Sequence, residues 1–297
     1  MPPRFVPSSE AMGPTQGLLT AMVTAFRADG AVNDDATVAI GRHLLANGSH
    51  GLVVCGTTGE AATLDDDEHI GVVELIVGEL GSAGPIVAGA GSNDTRHAVH
   101  LTEAVTAAGV DAVLSVTPYY VRPNRRGILA HFGAVAEATD RPVILYNIPA
   151  RTATDMPNDL LAELAQIERI DYVKQANNAN LAPVDGLGLY AGNDDIVART
   201  LDLGGIGGIC VASHLVGDRL QAMVHEPARR AEIDAELEPL WKVLGVTTNP
   251  IPIKAALALA GHPVGGLRLP LVEADEHERA QIRAVLEQLG LLQEAAA

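Results

Sequence analysis

The sequence alternates two kinds of segment, and this alternation restricts the fold more than any other feature. From Gly17 onward, short runs rich in Val, Ile and Leu are followed by longer segments of helical period. Repeated units of this kind build a parallel sheet covered by helices, so the pattern predicts an α/β fold. Strand-like runs begin near eight positions, which are Leu18, Gly51, Pro85, Asp111, Pro142, Ile170, Leu187 and Ile206. Eight strands favour a TIM (β/α)8 barrel, and a doubly wound open sheet is the alternative.

Helices are predicted between these strands. The segments are 34–46, 65–80, 94–107, 125–139, 158–167 and 194–203, and several open with Asp or Asn as the N-terminal cap. Gly48, Gly81 and Gly109 stand where helices should end. The sixth unit is short, because the strand at Leu187 begins only 17 residues after Ile170. Its helix is predicted to shrink to about 180–185.

A different pattern follows Cys210. The strand signal stops, and four amphipathic stretches at 215–225, 228–244, 251–259 and 274–289 predict a helical C-terminal extension. We therefore divide the chain into an N-terminal tail at 1–16, a (β/α)8 catalytic barrel at 17–212 and a C-terminal helical region at 213–297. The start is expected to be loose and the end at 293–297 to fray.

Charge and cysteine usage exclude several classes of partner. The formal net charge of -17 argues against binding to nucleic acid or to an anionic membrane. No run approaches 18 consecutive apolar residues, and the first residues lack the apolar segment of a signal peptide. Cys55 and Cys210 lie in apolar runs and give neither a disulfide framework nor metal-ligand spacing. We expect a soluble cytoplasmic protein with no nucleic-acid or membrane partner.

The active site of a TIM barrel lies at the C-terminal ends of its strands, so residues that follow the apolar runs are the candidates. The second run ends in Cys55-Gly-Thr-Thr-Gly-Glu60. Its glycines let backbone N–H groups converge on an anion, and Thr57 and Thr58 add hydroxyl groups. This turn could bind a carboxylate, and an ordinary strand-to-helix turn is the alternative.

Tyrosines and one arginine follow the fourth and fifth runs. Tyr119, Tyr120 and Tyr146 are three of the five tyrosines, and their hydroxyls can transfer protons at the barrel mouth. Each alone also fits a packing residue at the rim. Arg151 closes the stretch Tyr146-Asn-Ile-Pro-Ala-Arg151, where a guanidinium suits bidentate capture of a substrate carboxylate. A solvated loop charge is the alternative.

The sixth run ends on Lys174, one of only three lysines beside 17 arginines. A chain that uses arginine for nearly every positive charge has kept a lysine here, and a lysine amine can form a Schiff base whereas a guanidinium cannot. Lys174 is therefore the candidate nucleophile. An ordinary surface lysine at a strand end is the alternative.

The last two runs bring acidic residues and glycines. Asp194 and Asp195, in Gly192-Asn-Asp-Asp195, are predicted to cap the following helix rather than to bind a metal. The glycines of the eighth run let a ligand or another backbone approach closely. The ten histidines show neither an HExxH motif nor a pair spaced four apart, so no metal site is predicted.

Taken together, these motifs resemble the dihydrodipicolinate synthase / N-acetylneuraminate lyase family. The stretches that carry the resemblance are Gly56-Thr-Thr-Gly-Glu60, Thr117-Pro-Tyr-Tyr120, Tyr146-Asn-Ile-Pro-Ala-Arg151, Lys174, Gly192-Asn-Asp-Asp195, Asn249-Pro-Ile-Pro-Ile-Lys254 and Leu267-Arg-Leu-Pro270. The family consists of pyruvate-dependent class I aldolases on a TIM barrel with a helical C-terminal addition. No metal or organic cofactor is implied, because the protonated imine is itself the electron sink.

The resemblance also implies roles for individual residues. Lys174 would be the Schiff-base lysine, Thr57 and Thr58 would hold the pyruvate carboxylate, and the backbones of Gly192 and Ile209 would line the pyruvate pocket. Thr58, Tyr146 and Tyr120 would form a proton relay. Tyr120 would reach into the site of a neighbouring subunit, which implies a homotetramer built as a dimer of dimers. Arg151 matches the arginine that receives the carboxylate of L-aspartate 4-semialdehyde in the synthase branch, which makes 4-hydroxy-tetrahydrodipicolinate for lysine and diaminopimelate biosynthesis.

Two departures from the family pattern concern the acceptor and the regulation. The segment Lys174-Gln-Ala-Asn-Asn-Ala-Asn180 lacks the acidic residue, small hydroxyl residue and glycine usual in the synthases. A sugar acid or another 2-oxo acid is therefore the alternative acceptor chemistry, and a non-catalytic pyruvate-binding paralogue is a third reading. Asn93, His69 and Tyr119 match the lysine-feedback cleft of sensitive synthases, whereas Asp66 and His97 replace its usual histidine and glutamate. Weak or absent inhibition by lysine is predicted.

Overall fold

A computed structural model describes residues 17–292 of the chain. The predicted tail at 1–16 and the predicted frayed end at 293–297 lie outside the described residues. Over residues 17–292, no helix is both long and apolar enough to cross a membrane.

Eight parallel strands close into a barrel, which confirms the predicted TIM fold and excludes the open sheet. They are β1 Gly17–Ala21, β2 Gly51–Val54, β3 Ile86–Gly89, β4 Ala112–Val116, β5 Val143–Asn147, β6 Ile170–Gln175, β7 Gly188–Ala191 and β8 Gly207–Cys210. The barrel closes where Leu19 of β1 lies opposite Ile209 of β8. A Cβ atom on Gly207 would overlap the backbone of Gly17. The glycine at this seam therefore serves the approach of two backbones.

Of the seven helices described between the strands, six lie within the predicted segments, and the short helix that follows β5 was not predicted. They are α1 Asp34–Ala46, α2 Asp66–Leu80, α3 Thr95–Ala107, α4 Arg125–Glu137, α5 Pro149–Thr152, α6 Asn158–Leu164 and α7 Val197–Asp202. Asn or Asp side chains accept a backbone N–H at the first turns of α1 to α4. Asp65 and Glu68 form a reciprocal capping box at α2. These caps fix where each helix leaves the strand before it, and hence the position of the loops between them.

The helix predicted at about 180–185 is not formed. The segment has only a 3-10 turn at Asn178–Asn180, followed by an isolated bridge between Val184 and Leu187. Pro183 explains the difference, because its ring disfavours helical backbone at the residue before it and removes a helix-forming N–H. The sixth strand therefore returns to the seventh through an irregular link.

Four further helices follow the last strand, and their bounds are α8 Ser213–His225, α9 Arg230–Val243, α10 Ile251–Leu259 and α11 Glu276–Gln288. The first of them packs against β1 and α1, so the predicted boundary at residue 212 falls just before a helix that covers the barrel. The helix α10 packs on α11 and α8. The segments before and after α10 reach the barrel mouth and supply contacts to the site.

The core has two layers, as expected for this barrel. Side chains such as Leu19, Val53 and Ile144 fill the inside of the barrel, and a larger cluster lies between the strands and the helices. Cys55 and Cys210 are both buried free thiols, as the sequence predicts. Burial raises the pKa of the Cys55 thiol to about 12, so this group remains protonated and unreactive.

Candidate active site

A cavity of about 560 Å³ opens at the C-terminal ends of the strands. Six of the predicted site residues line it together, although they come from four different strand ends and their loops: Thr57, Thr58, Tyr146, Arg151, Lys174 and Gly192. The sequence predicts these positions independently of one another, and the barrel brings them to a single site.

Lys174 and Tyr146 form the centre of this cavity. They face each other across neighbouring strands β5 and β6, where they are paired in register. The Nζ atom of Lys174 lies 4.2 Å from the centre of the Tyr146 ring. Lys174 is only 5% exposed, so its amine faces the cavity rather than bulk solvent. A lysine amine beside a tyrosine ring is an arrangement suited to imine formation and proton transfer.

The loop of residues 55–60, which the sequence predicts to bind a carboxylate and which we call the carboxylate-binding loop for that reason, is a tight turn with its own hydrogen bonds. Gly59 N–H donates to the Gly56 carbonyl at 3.1 Å, and Glu60 N–H donates to the Thr57 carbonyl at 3.1 Å. Cys55 and Glu60, at its two ends, both have positive φ angles of 50° and 57°. The turn presents Thr57 and Thr58 to the cavity.

Arg151 lies on the short helix α5 at the edge of the same cavity. Its Nη2 atom donates to the backbone carbonyl of Asn249 at 3.0 Å. This bond leaves other N–H groups of the guanidinium available, and the side chain is exposed toward the mouth. A cation at this place can receive an anionic group of a second substrate.

Asn249 is a site residue that sequence reasoning missed as such. Its Nδ2 group donates to the Thr58 hydroxyl at 2.9 Å, while its carbonyl accepts from Arg151. One residue of the C-terminal region thus contacts both the carboxylate-binding loop and the arginine. Its place in Asn249-Pro-Ile-Pro-Ile-Lys254 was the available signal, but a contact across 191 residues is not visible in a local pattern.

Asp194 does not cap the helix that follows it, and that prediction was wrong. The turn Asp194–Ile196 begins after Asn193 without a side-chain cap. The Asp194 carboxylate instead accepts the backbone N–H groups of Val211 and Ala212 at 2.9 and 3.0 Å. It therefore fixes the loop that leaves β8. Withdrawal from water raises the pKa of this half-buried carboxyl, and its two backbone bonds oppose the rise.

Segment 175–180, which departs from the family pattern, forms its side-chain hydrogen bonds outside the cavity. The side chains of Asn147, Asn177 and Asn180 all donate to the carboxylate of Asp155. The buried Gln175 accepts from Asn147 and from the backbone of Asn177. Within the described residues, none of 175–180 lines the cavity of Lys174. The amides bonded to Asp155 therefore support the end of β6, the strand that carries Lys174.

Two predicted residues lie elsewhere. Ile209 is buried inside the barrel, and its side chain packs in the inner core cluster. Tyr120 does not line the cavity of its own chain. Its side chain is 87% exposed and its φ angle is 69°, so it projects away from the barrel beside the exposed Val121.

A second cavity of about 500 Å³ adjoins the first, and Tyr146 and Arg151 line both cavities. Five positions of this chain correspond to the lysine-feedback cleft of sensitive synthases. Four of them line the second cavity: Asp66, His69, His97 and Tyr119. Asp66 and His97 are hydrogen-bonded at 2.9 Å, and this bond holds the pKa of the Asp66 carboxyl below its usual range. Burial lowers the pKa of His69. Asn93 does not line this cavity.

No three His, Cys, Asp or Glu side chains between residues 17 and 292 come together as a group suited to a metal ion.

Comparisons with known proteins agree with this geometry. Residues 14–289 match the model of the dihydrodipicolinate synthetase family. The 4-hydroxy-tetrahydrodipicolinate synthase of Synechocystis sp. is 44% identical over 298 residues, covering 96% of this chain and 98% of that protein. The structure of the Cyanidioschyzon merolae enzyme with lysine bound has 36% identity and a TM-score of 0.90, covering 93% of this chain and 99% of the other.

A third relative is a structure of the chloride-inhibited dihydrodipicolinate synthase of Acinetobacter baumannii in complex with pyruvate. It has 34% identity and a TM-score of 0.89, and the match covers 93% of this chain and 99% of the other. These matches extend over the barrel and the C-terminal helices alike. They confirm the resemblance seen in the motifs. The chain therefore belongs to the dihydrodipicolinate synthetase family of lyases.

Proposed function

We propose that this protein is a class I aldolase that condenses pyruvate with L-aspartate 4-semialdehyde to give 4-hydroxy-tetrahydrodipicolinate. The observation that carries the proposal is the single cavity in which Lys174 lies against Tyr146, with Thr57, Thr58 and Arg151 in its walls. The Synechocystis relative, named as 4-hydroxy-tetrahydrodipicolinate synthase, supports the choice of reaction.

The donor half of the reaction uses the inner part of the cavity. The neutral amine of Lys174 attacks the ketone carbon of pyruvate, and loss of water gives a protonated imine. Thr57 and Thr58 hold the carboxylate during this step. The imine then withdraws electrons from the methyl group, so that a methyl proton can leave through Tyr146 and Thr58 to give an enamine. The A. baumannii relative in complex with pyruvate supports this choice of donor.

The acceptor half uses the outer wall. The enamine carbon attacks the aldehyde of the second substrate, and Arg151 receives the acceptor carboxylate in a charge-assisted bond. The amino group of the acceptor then attacks the imine carbon. This step closes the ring and releases the amine of Lys174. The bond from Arg151 to Asn249 supports the role, because it holds the guanidinium at the mouth before an acceptor arrives.

Tyr120 is proposed to complete the relay of a neighbouring subunit in a homotetramer arranged as a dimer of dimers. Its exposure of 87% supports this, and so does its φ angle of 69°, because a bulky residue adopts this region only where its surroundings hold it there. We further propose a cytoplasmic enzyme of lysine and diaminopimelate biosynthesis that needs no metal or organic cofactor.

A sugar acid or another 2-oxo acid is the second candidate acceptor, and the changed segment 175–180 is the observation that favours it. The segment's bonds to Asp155 weaken that case, because its amides are engaged outside the cavity. Arg151 supports an acceptor with its own carboxylate. A non-catalytic paralogue is disfavoured by the presence of Lys174, Tyr146 and both threonines in one cavity.

The test is a rate measurement with purified protein, pyruvate and L-aspartate 4-semialdehyde, in which the heterocyclic product is followed by coupled reduction. Borohydride trapping with pyruvate is run in parallel, and the modified lysine is located by peptide mass mapping. Turnover with an adduct on Lys174 is the expected result. Trapping without turnover would leave the aldolase chemistry and reject this acceptor. No adduct in the wild type, or an adduct that persists in Lys174→Arg, would reject the proposed nucleophile.

A further inference from the structure

The carboxylate-binding loop has a conformation that its own sequence does not favour. Both of its end residues, Cys55 and Glu60, are non-glycine residues with left-handed backbone angles. Side chains disfavour this region, and residues held there are fixed by their surroundings. Gly56 and Gly59 lie between them and add flexibility rather than constraint. The position of Thr57 and Thr58 therefore depends on contacts from outside the loop.

Glu60 supplies one of these contacts through a buried ion pair. One of its carboxylate oxygens accepts from the Nζ atom of Lys254 at 2.6 Å, and the other accepts the backbone N–H of Arg268 at 3.1 Å. The side chains of Lys254 and Glu60 are 2% and 0% exposed. By contrast, the ion pair between Arg42 and Glu79 is 60% and 50% exposed. A buried carboxylate with all its oxygens engaged has one defined position.

Lys254 is itself held at a fixed place. Its amine also donates to the Gly266 carbonyl at 2.7 Å and lies 4.3 Å from the centre of the Phe26 ring. The guanidinium of Arg268 lies over the same ring at 4.6 Å and forms two bonds of 2.6 Å to Glu68. The partner of Glu60 is thus part of a rigid network rather than a mobile side chain.

The same C-terminal segment also touches the loop at a second point. Asn249, five positions before Lys254, donates to the Thr58 hydroxyl, two positions before Glu60. Segment 249–254 and loop 55–60 are therefore joined at two places, one of them at a hydroxyl proposed to bind substrate. Two attachments fix both the position and the orientation of the turn between them.

We propose that Glu60 and Lys254 form a positioning pair, which holds Thr57 and Thr58 where they receive the carboxylate of the 2-oxo acid donor. The inference rests on the proposed function. Neither residue lines the cavity of Lys174 and both side chains are buried, so neither touches the reacting atoms. Loss of the pair should weaken capture of pyruvate without removing the proposed nucleophile, because Lys174 lies on β6. It should affect the acceptor site less, because Arg151 lies on α5 and bonds to the backbone of Asn249 rather than to either member of the pair.

The experiment measures the pyruvate concentration that gives half-maximal borohydride trapping on Lys174, which needs no acceptor. The main variant is the double substitution Glu60→Gln with Lys254→Met, because it removes both charges with little change in volume and leaves no buried charge unpaired. Glu60→Gln alone is the second variant. Glu79→Gln is the matched control, because it breaks an ion pair at the surface. Circular dichroism and thermal unfolding confirm that each protein is folded before its trapping is measured.

In the folded double variant, we expect the half-saturating pyruvate concentration to rise ~10- to 100-fold, as it does when a binding group is displaced by a fraction of an ångström. The KM for the acceptor should stay within about twofold of wild type, a split that general loss of structure does not produce. Unchanged half-saturation in the folded double variant would overturn the positioning role and leave the proposed function intact. Absence of trapping in the wild type would overturn both.

Discussion

The amine of Lys174 lies 4.2 Å from the ring centre of Tyr146 because the two residues are paired across adjacent strands of a closed barrel. Neither position depends on a mobile loop. Lys174, the proposed nucleophile, and Tyr146, the proposed proton-transfer group, are therefore fixed relative to each other before any substrate binds. A fixed geometry of this kind favours efficient proton transfer.

This pairing allows imine formation and proton transfer to be separated by mutation. Tyr146→Phe keeps the ring beside Lys174 and removes only the hydroxyl, so pyruvate should still be trapped by borohydride while kcat falls ~100- to 10,000-fold. Tyr172→Phe is the matched control, because this ring lies on the same strand as Lys174 and packs against Tyr190. Steady-state rates and trapping yields are measured on all three proteins. A decrease in kcat of less than about tenfold in Tyr146→Phe would remove the tyrosine from the relay.

Arg151 gives a prediction about the acceptor. Arg151→Ala should raise the KM for L-aspartate 4-semialdehyde about 10- to 100-fold, as expected for the loss of a charge-assisted hydrogen bond. Imine formation with pyruvate should change little, because Lys174 and the threonines lie on other elements. Arg126→Ala, an exposed arginine on α4, is the control. Equal losses in acceptor use and in pyruvate trapping would show that Arg151 has a different role.

The barrel and the residues at its mouth were predictable from the sequence because both follow from local patterns. Apolar runs mark buried strands, and the residue that follows a strand lies at the barrel mouth whatever the rest of the chain does. Lys174, Tyr146 and Arg151 were found in this way. The bonds from Asn249 to Thr58 and from Lys254 to Glu60 span 191 and 194 residues, and no local pattern reports such contacts.

The two wrong predictions have different origins. An aspartate before a helix normally caps that helix, yet Asp194 bonds to the backbone after β8, which folding brings beside it. The helix expected at 180–185 was placed by the short spacing between the sixth and seventh strands, and Pro183 in that segment disfavours it. The unusual Gln175–Asn180 segment could not be interpreted until Asp155 was seen to accept from Asn177 and Asn180.

The second cavity gives a prediction about regulation. The Asp66 carboxylate is hydrogen-bonded to His97, and His100 lies 3.8 Å away, so its negative charge is already engaged and attracts an ammonium group less strongly. L-Lysine should therefore inhibit weakly or not at all when the rate is measured at constant ionic strength. Half-maximal inhibition at submillimolar lysine would contradict this. The double substitution Asp66→His with His97→Glu restores the residue types of the sensitive synthases and should increase inhibition.

His214 makes the stability of the fold depend on pH. Its ring is almost completely buried on α8, where Nε2 accepts the backbone N–H of Val23 and Nδ1 donates to the Val211 carbonyl. Burial lowers its pKa from 6.5 to about 4. Above pH 6.5 the ring is neutral in both states. Between pH 6.5 and 4 the unfolded chain takes up a proton that the folded chain refuses, so the free energy of unfolding falls as the pH falls.

The loss attributable to this one group approaches about 3 kcal/mol near pH 4 and stays constant below it. Denaturant unfolding between pH 7.5 and 4 measures this loss of stability, and the range begins about one pH unit above the usual histidine pKa. The wild type is compared with His214→Gln, whose side chain cannot take up the proton. The variant should be less stable at neutral pH, because it loses the fit of the ring, but its stability should fall less steeply toward pH 4. His225→Gln, at the exposed end of the same helix, should keep most of the wild-type slope. Parallel curves for wild type and His214→Gln would mean that His214 accepts its proton equally well in both states.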